Sequence, residues 1–77
     1  MMKVTEMAIA DAKARGYDVV VVDEAGHYWE ETYSGDWTVI TECGWELDSH
    51  AFDGAEVISE NYCDEEKMCY IKIAGEF

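Results

Sequence analysis

From Gly16 to Glu66 the chain carries fifteen Asp and Glu residues and no Lys or Arg. Carboxylates in that number can act as general acids and bases, ligate hard cations, or present a field that imitates a polyanion. The catalytic option lacks a scaffold: the chain has no GxSxG, P-loop, GxGxxG or HExxH pattern. Asp48-Ser49-His50 holds the residue types of a triad, but consecutive residues do not converge on one reacting atom. That segment reads as a polar loop with Asp48 as a helix cap, and His27 as a surface residue opening a strand. Asp23-Glu24 and Asp64-Glu65-Glu66 are acidic turns without EF-hand spacing. Cys43, Cys63, Cys69, His27 and His50 are soft ligand types, yet zinc sites use two closely spaced pairs. No enzymatic activity, metal or cofactor is expected.

The polyanion option fits the pattern better. Residues i and i+2 of a strand project from one face roughly 6.6–6.8 Å apart, comparable with successive phosphates along a nucleic-acid strand. On that basis Glu30, Glu42, Glu46, Glu56 and Glu60 are expected on an exposed sheet face. Loops add Asp36, Asp48, Asp53, Asp64, Glu65 and Glu66 to the same partner-binding surface. Over all 77 residues, 18 acidic against 5 basic side chains give −13. This balance excludes backbone-driven nucleic-acid binding and disfavours an anionic membrane. Tyr28, Trp29, Tyr33, Trp37 and Trp45 contain enough rings for base stacking, but the neighbouring carboxylates would repel phosphates. These rings are expected in the core, with one or two left as anchors for a protein partner.

An acidic balance can also merely keep a small protein soluble. Against that reading, residues 1–15 hold three basic and two acidic groups and residues 67–77 hold two and one. The middle therefore carries −15, more than the whole net charge. Such clustering forgoes offsetting ion pairs in a domain whose small core leaves it marginally stable.

The elements that must position these groups follow from periodicity. One domain is expected over residues 1–77. A helix should begin at a Thr5 cap and stop at Gly16, with Val4, Ala8 and Ala12 aligned and Ile9 flanking. Period-two runs predict strands at Tyr17–Val22, His27–Tyr33, Trp37–Trp45, Glu56–Cys63 and Met68–Ala74. In the third, Trp37, Val39, Thr41, Cys43 and Trp45 should share a face. In the last hairpin the preferred register sets Cys63 against Cys69 and Glu60 against Lys72, rather than Glu60 against Ile71. A Cys63–Cys69 disulfide is conceivable in that register. The fold class is α+β: one N-terminal helix packed on a four- to five-stranded antiparallel sheet.

In length, charge and layout, and by no motif, the chain resembles the very small, acidic α+β proteins of phages and mobile elements. These include many anti-CRISPR proteins and other DNA-mimic inhibitors. The resemblance implies a non-enzymatic inhibitor that occupies the DNA- or PAM-binding surface of a CRISPR effector or another defence nuclease. The alternative is a protein-interaction module that homodimerises through strand edges or through aromatics such as Trp29 and Trp37, its acidity incidental. A thiol-based metal-binding protein ranks third. The first sixteen residues lack an apolar signal core and the longest aliphatic run is Val19–Val22, so a cytoplasmic location in a bacterial host, with reduced thiols, is expected.

Overall fold

Ala8 and Ala12 stand one helical turn apart with nothing larger than a methyl group between the backbone and its neighbours. Both are fully buried, as is Thr5 in the turn before them. They belong to α1 (Thr5–Ala14), which packs on the sheet. The computed structural model describes residues 3–31, 37–41, 44–47 and 52–76, with the backbone alone for residues 40, 41 and 45–47. Thr5 is not the cap. Val4 holds that position without a side-chain bond, and the Thr5 hydroxyl instead donates to the Ala55 carbonyl at 2.9 Å. The far end closes as the glycine requires. Gly16 has φ +87°, its N–H donates to Lys13 O at 3.0 Å and that of Tyr17 to Ala12 O at 3.0 Å, a Schellman pair.

Six strands follow among the described residues: β1 (Asp18–Val22), β2 (Tyr28–Glu31), β3 (Trp37–Thr41), β4 (Gly44–Leu47), β5 (Val57–Cys63) and β6 (Met68–Ile73). Their order across one sheet is β4-β3-β2-β1-β6-β5. The fold is α+β as expected, but the sheet is mixed, because β1 and β6 are parallel. The cause is the route of the chain. The β1–β4 meander leaves one edge, and the connection carrying residues 52–56 delivers the chain to the other edge and the opposite end. The β5–β6 hairpin therefore enters with β6 running alongside β1.

Two expectations of pairing are overturned. The third strand is not continuous. It divides beyond Thr41, and Gly44, at φ +121°, opens β4 opposite Thr41. Trp45 thereby falls opposite Ile40 instead of continuing the row of Trp37 and Val39. The β5–β6 register is also shifted by one residue: Tyr62 faces Cys69, Glu60 faces Ile71 and Cys63 faces Met68. A four-residue tip with Lys67 at φ 54° closes this register, and an irregularity between Val57 and Ser59 sets Val57 opposite Ile73. Cys63 and Cys69 consequently project from opposite faces, both as free thiols, and cannot form the disulfide.

The core lies on the helix side of the sheet. Val19, Val21, Cys69, Ile71 and Ile73 meet Ala8 and Ala12. Farther along that face Phe52 packs edge-on to Trp29 at 5.2 Å and 84° and to Trp37 at 5.3 Å and 82°. Trp29 Nε1 is buried with no acceptor among the described residues. At the outer edge of β5, Val4 bridges Glu56 and Val57 N donates to Lys3 O at 2.9 Å, so the chain's start covers part of that edge.

Phe52 is the one aromatic ring among the described residues of the crossing connection and is fully buried, so Phe52→Ala should cost about 3–5 kcal/mol. Urea unfolding would register this as a lower midpoint at unchanged slope.

Candidate functional site

The charged side chains sort by location. On the helix side, Lys3 Nζ lies 2.9 Å from Asp11 and 3.2 Å from Glu60. Lys13 pairs with Glu31. The Arg15 guanidinium lies 5.1 Å from the centroid of the Tyr62 ring, and Lys67 Nζ 5.3 Å from that of Tyr17. Hydrogen bonds that Lys3 donates to Asp11 and then Glu60 raise the Lys3 pKa, and Lys3 in turn lowers that of Asp11. The Tyr17 hydroxyl donates to Asp64, which pushes its pKa up. Burial raises the phenol of Tyr62 and the thiol of Cys69.

The carboxylates expected on one sheet face do not share it. Glu30 is exposed on the face that the helix leaves open, opposite Val20 and Thr38. Glu60 lies on the other face, because the observed register sets it opposite Ile71, and it is held by Lys3. Glu56 precedes β5 and is exposed beside Val4. The register sets the Glu46 backbone opposite Val39. Asp36, Glu42 and Asp48 lie outside the described residues. The remaining expected residues, Asp53, Asp64, Glu65 and Glu66, are all exposed in turns.

What the fold builds instead is two acidic ends. Asp18 pairs with Met68, and Met68 with Cys63, so Asp18 and the Asp64–Glu66 tip occupy one end of the sheet. At the other end Glu24 accepts from Gly75 N at 3.1 Å and Ala74 N donates to Glu56 O at 2.9 Å, which gathers Glu24, Glu56 and Glu76. Asp23 is different in kind. It is 1% exposed and its carboxylate accepts from His27 N at 2.9 Å, so it holds the β1–β2 turn. His27 Nδ1 lies 3.2 Å from the same carboxylate.

Sequence reasoning missed the open face itself. Besides Glu30 it carries Val20, Val22, Tyr28, Met68, Tyr70 and Lys72. Val20 is 6% exposed and Tyr28 50% exposed. The signal was present in Val19–Val22, since an uninterrupted aliphatic run places apolar side chains on both faces. Tyr70 donates to Glu66 at 3.2 Å, and burial first, then Glu66, raises its phenol pKa.

Among the described residues no three of His, Cys, Asp and Glu converge as a metal site; Cys43 and His50 lie outside them. Among the same residues no helix is long and apolar enough to cross a membrane. The described carboxylates can present fixed negative charge to a partner.

The Lys3 and tyrosine shifts act in one direction. Their pKa values are raised in the folded chain, so their stabilisation is complete below the unfolded values, 10.5 and 10.0, and is lost as pH rises through the folded ones. Thermal melts should fall as pH rises above about 10, and Lys3→Met should lessen the fall above 10.5. Asp11, depressed below 3.8, contributes above that pH and loses its contribution as pH falls through its folded pKa. Added salt should raise the melting temperature near neutral pH, because screening relieves the −13 self-repulsion more than it weakens exposed pairs.

The chain matches no protein-family model, and no curated protein or solved structure is significantly similar to it, so its role rests on the geometry of its own residues.

Proposed function

We propose that the protein is a non-enzymatic inhibitor that acts as a nucleic-acid mimic, occupying a basic DNA- or RNA-binding surface of a protein or ribonucleoprotein complex. The observation that supports this reading is the segregation of charge. Lys3, Lys13 and Arg15 lie on the helix side, where they offset Asp11, Glu31 and Glu60 and stack on Tyr62. Glu24, Glu30, Asp53, Glu56, Glu65 and Glu76 are left exposed elsewhere. Long-range attraction would steer this surface toward clustered Lys and Arg, and once seated it would exclude the true ligand by competition. The resemblance to anti-CRISPR and other DNA-mimic inhibitors implies a CRISPR effector or another defence nuclease as the target, blocked at its DNA- or PAM-binding surface, with the inhibitor encoded by a phage and acting in a bacterial cytoplasm.

The half-exposed Tyr28 ring favours a second reading, a self-associating interaction module whose acidity is incidental. Salt separates the two. A mimic competing with duplex DNA for a purified effector should lose affinity steeply between about 50 and 200 mM salt. A response flat over that range would reject mimicry and select an apolar interface. Reversing Glu30, Glu56 and Glu65 to Lys should weaken inhibition roughly tenfold or more while the melting temperature holds or rises. Glu60 is unsuitable for this purpose, since its reversal would oppose Lys3.

A further inference from the structure

We infer that the open sheet face, rather than the acidic ends alone, is the docking face, and that its occupant is a basic protein surface carrying a protruding aliphatic or aromatic side chain. This rests on the mimic reading above and adds where and how the partner seats. Across this face, Val22 stands opposite Tyr28 on one side and Lys72 on the other. The backbone register continues the row from Tyr28 to Ile40 and on to Trp45. The neighbouring row sets Val20 between Glu30 and Tyr70. Val20 is already covered by its cross-strand neighbours, whereas Tyr28 leaves half of its surface in water. An apolar centre bordered by Glu30, Asp18 and the Glu66 that holds Tyr70 matches an apolar side chain surrounded by Lys and Arg.

Charge decides the occupant. A second copy would bring another −13 onto a face where Lys72 is the one cation among the described residues. Strand addition at β5 is obstructed by the Lys3–Val4 pairing and by the irregularity before Ser59. A basic partner meets neither obstacle.

The test uses two fifteen-residue arginine-rich peptides that differ in a central Leu or Ser, titrated into ¹⁵N-labelled full-length protein. Amide shifts should centre on Val20, Val22, Tyr28 and Tyr70, and the Leu peptide should bind about threefold to tenfold tighter. Tyr28→Ser should erase that preference. As a second variant of the same face, Lys72→Gln should tighten binding more than Ala10→Glu, which makes the same change in net charge on the exposed side of α1. Salt-dependent binding with shifts confined to the turns around Asp53, Glu56 and Glu65, or equal effects of the two charge variants, would overturn the docking face and leave the mimic reading standing. Absence of salt-dependent binding by either peptide would overturn both. Shifts of the open-face amides that grow with protein concentration alone would identify a second copy as the occupant and overturn the proposal.

Discussion

Val19 and Val21 of β1 lie beside Cys69 and Ile71 of β6, and these four side chains form the floor on which Ala8 and Ala12 rest. This parallel contact constrains everything else. It joins the first strand of the chain to the last, so its loop entropy is recovered only when the intervening strands are in place. It obliges the connection after β4 to traverse the molecule, which brings Phe52 onto Trp29 and Trp37. It also determines which side receives the basic residues, since α1 carries Lys13 and is preceded by Lys3.

The same frame explains how so acidic a chain stays folded. A five-residue strand separates the two acidic ends by about 17 Å. That is roughly twice the Debye length of ~8 Å at physiological salt, so each end repels mainly itself. Nearer the core, carboxylates have specific partners: Asp11 and Glu60 share Lys3, Glu31 has Lys13, and buried Asp23 is satisfied by His27. Exposed pairs of this kind add little stability individually, but they remove the closest like-charge contacts.

Local features were legible in the residues because they depend on near neighbours. The Ala8–Ala12 stripe and the Gly16 stop specify α1 and its buried face, and each expected strand segment contains a strand. Relations between distant residues were not. Cys63 can face Cys69 or Met68 with a change of only one residue in the tip, and alternation alone favoured the pairing that keeps Glu60 in water. What overrides it is Lys3, 57 positions away, which allows a carboxylate on the helix side. The break before Gly44 was hidden because Trp37–Trp45 alternates without interruption, and the glycine's backbone freedom mattered more than the pattern. The acidic site was legible as an amount of charge. Its division into two ends, and the apolar face between them, required the register.

The grouping of Lys3, Lys13 and Arg15 on one side has a consequence for motion as well as for contact. Among the described residues these cations offset Asp11, Glu31 and Glu60 beside α1, so the described negative charge is weighted away from the helix and gives an orienting moment in addition to the net charge. In the field of a positively charged body it experiences a torque once the two surfaces come within about a Debye length, ~8 Å, of each other. Rotational diffusion is thereby biased, and encounters begin with the helix turned outward.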